Sequence, residues 1–165
     1  MIQSPKVKKL TLTALMAAVI FVVTFLIRIP MFNTAGGYIN IGDAAVYIAS
    51  SLLGGPYGMV AAAIGSALVD LAVFPAFTLP TAIVKGLMGL VCGKLMTHEG
   101  FRRFIVASVI GGAIMAGGYT LFGIPMLGLN TALAALPFNL IQWAAGVAVA
   151  SAFYPTVTRI KKNLF

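Results

Sequence analysis

Apolar residues run along this chain in long, nearly unbroken stretches, separated by short clusters of Gly, Pro and charge. The strict alternation of a half-buried strand is missing. A helix that crosses the hydrocarbon core of a bilayer needs about 20 apolar residues, within a range of about 17–25. On that measure helices are expected over about 9–28, 43–54, 57–74, 79–97, 103–123 and 131–157. The second is bounded by Asp43 and by the turn Gly54-Gly55-Pro56-Tyr57-Gly58, and is expected to be short or partly re-entrant. Pro137 falls in the first turns of the sixth, where a kink is expected.

Composition makes the setting definite. Of 165 residues, 61% are hydrophobic and 8% charged, far too few charges to coat a water-facing surface. Strands of a membrane barrel would alternate apolar and polar residues, whereas these runs are rich in Ala, Leu and Met. The expected fold is an all-α integral membrane protein with six transmembrane helices in one membrane domain over 1–165. Lys6, Lys8 and Lys9 ahead of the first run resemble the start of a signal peptide. The run is longer than a signal peptide's apolar region and no small-residue cleavage site follows it, so the first helix is expected to be retained.

The net charge of +8 comes from basic residues gathered at the chain ends and in one loop, without interleaved aromatics, which argues against nucleic-acid binding. With the N-terminus inside, the cytoplasmic parts hold Lys6, Lys8, Lys9, Lys94, Arg102, Arg103, Arg159, Lys161 and Lys162, and the outer parts hold only Arg28. This asymmetry places both termini in the cytoplasm. The longest outer connection, Arg28 to Asp43, mixes turn formers with aromatic and apolar residues. Two readings stand for it: a lid or binding loop, or an interfacial loop anchored by Phe32 and Tyr38.

Asp70 and Lys85 are opposite charges inside apolar runs, where a charge costs at least about 2.5–3.5 kcal/mol. They fall on helices joined by a short outer connection around Pro75–Thr78, so they are expected at similar depth on antiparallel neighbours. One reading is a structural ion pair with Asp70 supporting Lys85; the other is a polar cavity open to the outside. Asp43 begins the second helix on the same side, as a further support or as its N-cap. Asn139 and Gln142 share one face of the sixth helix, with Trp143 close by, at a depth similar to the charges. Such amides either glue helices together or bind solute. Trp143 or Tyr119 could stack on a planar solute or simply pack. Ala14 and Ala18, four apart on the first helix, give a smooth face for close helix contact.

Several chemistries are excluded. Gly89-Leu90-Val91-Cys92-Gly93-Lys94-Leu95 lacks both the spacing and the hydroxyl of a P-loop. His98 has no second ligand nearby, so no metal site is expected. Cys92 is the sole cysteine and is expected to pack as a small hydrophobe. No nucleophile–base pair is visible, no cofactor is expected, and the chain is read as no enzyme.

Taken in order, Tyr38-Ile39-Asn40-Ile41-Gly42-Asp43, Gly54-Gly55-Pro56-Tyr57-Gly58, Gly65-Ser66-Ala67-Leu68-Val69-Asp70, Ile83-Val84-Lys85-Gly86-Leu87-Met88-Gly89 and Leu136-Pro137-Phe138-Asn139-Leu140-Ile141-Gln142 carry a resemblance over most of the chain. It resembles the substrate-binding S components of energy-coupling factor (ECF) vitamin transporters, in the riboflavin-transporter-like branch that includes hydroxymethylpyrimidine and pyridoxine proteins. The resemblance implies a prokaryotic cell-membrane subunit that captures a water-soluble vitamin at the outer face. It also implies partners: a transmembrane scaffold subunit carrying two cytoplasmic ATPases, with release by toppling in the membrane. Carried over residue by residue, it implies substrate contacts at Asn40, Lys85, Tyr119, Asn139, Gln142 and Trp143, and docking through Ala14 and Ala18. A hydroxymethylpyrimidine- or pyridoxine-like solute is favoured over riboflavin. The competing reading is a stand-alone secondary transporter or channel in which Asp70 and Lys85 relay an ion.

Overall fold

The computed structural model describes residues 4–32 and 37–164. Seven helices and one short hairpin make up the described chain: α1 (Pro5–Leu26), β1 (Arg28–Pro30), β2 (Tyr38–Asn40), α2 (Gly42–Leu53), α3 (Gly55–Val73), α4 (Thr78–Leu95), α5 (Phe101–Leu127), α6 (Leu129–Ala152) and α7 (Tyr154–Leu164). A single 3-10 turn, Pro75–Phe77, joins α3 to α4. Among the described residues, five helices are long and apolar enough to cross a membrane: α1, α3, α4 with its preceding turn, α5 and α6. Their outward faces carry a belt of exposed apolar side chains, among them Leu15, Val22, Leu68, Leu87 and Leu140. In water such a belt would be an aggregation surface; in hydrocarbon it is the solvated face.

The connections sort the bundle into two ends. One end holds the hairpin, the 3-10 turn and the α5–α6 turn; the other holds the α2–α3 turn, the α4–α5 loop and both chain ends, where Lys8 Nζ donates to the Leu164 carbonyl. α2 ends and α3 begins at the same level at this terminal end, because only Gly54 separates them. Its φ of 82° is a left-handed conformation that favours glycine. From that common level α3 runs for 19 residues and α2 for 12. At 1.5 Å per residue α2 stops about 10 Å short of its neighbour. Buried almost all round, α2 forms the axis of the core, with Val46, Tyr47 and Ala49 fully enclosed.

Close backbone approach packs α3 against α4. A Cβ on Gly89 would lie 2.6 Å from the Gly58 carbonyl oxygen and 2.9 Å from its carbon. Cys92 is buried at the α4–α5 seam, and its Sγ donates to the Ala107 carbonyl at 3.2 Å.

Three segments differ from the sequence expectation. The region expected as a helix over 131–157 is two helices, broken at Phe153. Pro155 lacks the N–H needed to continue α6 and would crowd the carbonyl one turn back; beyond it the sequence turns polar and basic, and α7 lies across the terminal end. The helix expected over 103–123 extends to Leu127, with Pro125 accommodated in its last turn before Gly128 takes a φ of 88°. The Arg28–Asp43 connection contains a hairpin, pairing Arg28 with Asn40 and Pro30 with Tyr38. The middle of that loop, 33–36, lies outside the described residues.

Gly89→Val should force α3 and α4 apart and destabilise the fold by about 1–3 kcal/mol. Gly117→Ala, where an added Cβ meets nothing within 4 Å, should leave the thermal midpoint unchanged or raised. Thermal denaturation of the two variants in the same detergent checks the contrast.

Candidate functional site

The shortness of α2 leaves a cavity of about 70 Å³ at the hairpin end of the bundle. The hairpin side is Met31, Gly37 and Tyr38; the α3–α4 corner gives Asp70, Phe74 and Phe77; α5 gives Tyr119, Gly123 and Leu127; α6 gives Ala132, Ala135 and Asn139. Asn40 and Gln142 line its base, above the first turn of α2. Phe74 and Phe77 stack with ring centroids 4.9 Å apart and planes 9° from parallel, presenting an aromatic corner.

Beneath the base lies an ion pair between Lys85 Nζ and Asp43 Oδ1, both fully within the protein. Gln142 Nε2 donates to the other Asp43 oxygen at 3.0 Å. With its N–H side so committed, the Gln142 carbonyl oxygen accepts from the Asn40 backbone N–H at 2.9 Å and from Asn40 Nδ2 at 3.3 Å. Asn40 Oδ1 in turn accepts the Gly42 N–H at 2.8 Å, closing the start of α2. The chain Lys85–Asp43–Gln142–Asn40 thus fixes the amide orientations at the cavity base.

A second chain lines the wall. Asp70 Oδ1 accepts from the Tyr38 hydroxyl and Oδ2 from the Thr81 hydroxyl, while Thr81 Oγ1 and the Tyr119 hydroxyl lie 3.0 Å apart. Burial, followed by the charge of Asp70, raises the Tyr38 phenol well above its ordinary pKa, so it remains a donor to that carboxylate. Asn139 is 7% exposed and its amide has no hydrogen-bond partner among the described residues. An amide that opens onto a cavity without a protein partner is free to bond water or a solute there.

The expected Asp70–Lys85 pair does not form. Thr81 and Lys85 share a face of α4, but Lys85 lies one turn, about 6 Å, deeper. Asp70, three residues from the end of α3, therefore meets Thr81, and Lys85 reaches the depth at which α2 begins and meets Asp43. The expected roles exchange accordingly: Asp70 faces the cavity, and Lys85 is held under it as a support. Lys85 Nζ also lies 5.4 Å from the Tyr119 ring centroid, which links the two chains. Asp43 is not an N-cap; it sits in the first turn of α2, and Ile41 occupies the cap position without a side-chain bond. Trp143 is turned away from the cavity into the α5–α6 seam, where a Cβ on Gly112 would lie 1.8 Å from its ring. An ion relay through Asp70 and Lys85 has no direct pair to use. Asn40, Tyr119, Asn139 and Gln142 all line the one cavity. Thr81, Tyr38, Phe74 and Phe77 were not anticipated; the spacing of Thr81 four residues before Lys85 was the available signal for the first.

A family model for the ECF-type riboflavin transporter S component matches residues 4–159. The chain belongs to this family. It is a membrane protein and a transporter subunit, not an enzyme. A thiamine precursor transporter of Lactococcus lactis subsp. cremoris, HmpT, is 28% identical over 160 residues, covering 96% of this chain and 93% of its own. An uncharacterized protein of Pyrococcus woesei is 32% identical over 131 residues, 78% of this chain and 86% of its own. The solved S component for biotin from an ECF-type ABC transporter superposes with a TM-score of 0.64 at 21% identity, covering 98% of this chain and 95% of that one, a likeness of fold. S components are the vitamin-binding subunits of transporters that also contain scaffold and ATPase subunits. In this S component, Ala14 and Ala18 lie on the exposed face of α1, while Ala17 between them is buried against the core.

Lys85→Met should strand the Asp43 carboxylate and destabilise this S component by about 3–5 kcal/mol. Adding Asp43→Asn should restore most of that loss. Denaturation midpoints of the single and double variants in detergent measure the difference; equal loss in both would show that the pair is not what the base depends on.

Proposed function

We propose that this chain captures a small water-soluble vitamin precursor, hydroxymethylpyrimidine- or pyridoxine-like ahead of riboflavin, in the hairpin-end cavity. The observation that carries this reading is the unpaired Asn139 amide beside Tyr119 and the Phe74–Phe77 corner, in a cavity that also holds fixed amides at its base. Planar heterocycles with ring nitrogens and hydroxyl groups match such a lining: π-faces for the aromatic wall, acceptors for the free amide protons, donors for the hydroxyl and carboxylate oxygens. The likeness to a thiamine precursor transporter across 96% of this chain supports the same class.

The hairpin end faces the outside in this reading, and both termini and α7 face the cytoplasm. Nine of the eleven basic residues sit at the terminal end, with Arg28 at the other and Lys85 inside, which is the distribution the positive-inside rule requires. α2, enclosed by its neighbours, makes the sixth crossing together with the hairpin. Ala14 and Ala18 offer the scaffold subunit a surface on which helix backbones can approach closely, and two ATPases on that scaffold supply the energy for uptake across the cell membrane.

The purified chain in detergent should bind hydroxymethylpyrimidine with a Kd below about 1 μM by calorimetry, equivalent to about −8.2 kcal/mol. Asn139→Leu should weaken that binding by about 5- to 150-fold, the span of about 1–3 kcal/mol for an unmet polar partner, without moving the thermal midpoint. In proteoliposomes, accumulation should require scaffold, ATPases and ATP, and Ala14→Trp should abolish it while sparing binding. Gradient-driven accumulation by the chain alone would overturn the assignment.

A further inference from the structure

We propose that the cavity discriminates by charge, admitting neutral or cationic donor-bearing solutes and excluding their phosphate esters, with Asp70 as the specificity-determining residue. The inference rests on the capture of a small heterocycle in this cavity and goes on to say which chemical form is taken. Asp70 is the only charged side chain among the described lining residues. The two cations nearby do not line the cavity. Lys85 is paired with Asp43 below the base. Arg28 lines a neighbouring cleft on the far side of Tyr38, where its Nε donates to the Phe25 carbonyl at 2.7 Å and its guanidinium lies 4.2 Å from the Phe25 ring centroid and 5.9 Å from that of Tyr38.

Proton directions sharpen the point. The hydroxyl protons of Tyr38 and Thr81 are both spent on Asp70, so Tyr119 must be the donor in its contact with Thr81. Three hydroxyl groups therefore turn oxygen lone pairs, not protons, toward their remaining neighbours. The one helix N-terminus at the base is already closed: Asn40 Oδ1 takes the Gly42 N–H, the Ile41 carbonyl takes the Ala44 N–H, and Asp43 lies in the first turn. A phosphate needs several convergent donors and a counter-charge. Apart from the single Asn139 amide, this wall offers acceptors and a carboxylate of the same sign. An amino or hydroxymethyl group, by contrast, brings the protons that Asp70 and the hydroxyl oxygens lack.

Calorimetry on the purified chain with hydroxymethylpyrimidine, pyridoxine and riboflavin, each beside its own phosphate ester, tests the inference without any variant. The expected result is that the free alcohol which binds does so at least about 100-fold more tightly than its ester. Binding of an ester within about 10-fold of its alcohol, or more tightly, overturns charge discrimination and leaves the capture of a heterocycle standing. Failure of all six compounds to bind instead overturns the proposed substrate class, and this inference with it. Asp70→Asn, checked for an unchanged thermal midpoint, should weaken the alcohol by at least about 10-fold and narrow the alcohol–ester gap. Should that variant not fold, the wild-type comparison decides alone.

Discussion

The Lys85–Asp43 pair is the constraint to which the rest of this bundle conforms. Neither charge can stand alone in a medium that cannot hydrate it. Once Asp43 is held from below by Lys85, its second oxygen is available only to Gln142, and Gln142 can then offer only its carbonyl to Asn40. A single electrostatic requirement thus ties α2 to α4 and α6 and sets the direction of two amides at the cavity base. Glycine supplies the complementary steric condition, since a side chain at Gly146 would place its Cβ 2.9 Å from Asp43 Cβ and push the pair apart.

Much of the architecture was legible because a bilayer restricts what a chain can do. Long apolar runs have one solution in hydrocarbon, so the helical type of the long spans follows from hydropathy alone. The short α2 was legible for the same reason, from Asp43 at one end and the glycine turn at the other. The hairpin was not: strands of three residues carry no periodic signal, and their pairing depends on what they cover. The α6–α7 break was missed because Phe153 and Tyr154 continue the apolar run through the point where Pro155 forbids the helix.

The site was legible as a set of residue types and less so as a set of contacts. Asn139 and Gln142 could be placed beside the charges because depth along a helix is readable from residue number, whereas Asn40, in β2, came only from the family resemblance. Partner choice for the charges turned on a single helical turn. Asp43 and Asp70 were both within reach in sequence terms, and only the level shared by the end of α2 and the start of α3, with α2 the shorter, decides that Lys85 meets the lower one. Trp143 shows the angular version of the same limit. It follows Gln142 directly, yet one residue is about 100° of rotation, enough to carry its ring into the gap left by Gly112.

The enclosure of α2 bears on how the protein is made. A helix of 12 residues, about 18 Å long, with a carboxylate in its first turn cannot rest stably in the bilayer as a lone crossing. Its partners arrive later in synthesis, Lys85 from α4 and Gln142 from α6. Until both have been inserted, the segment has no satisfactory place in hydrocarbon and must wait at the membrane surface or within the insertion machinery. Assembly of the cavity is therefore post-insertional: its base can close only after the last long helix has entered the membrane.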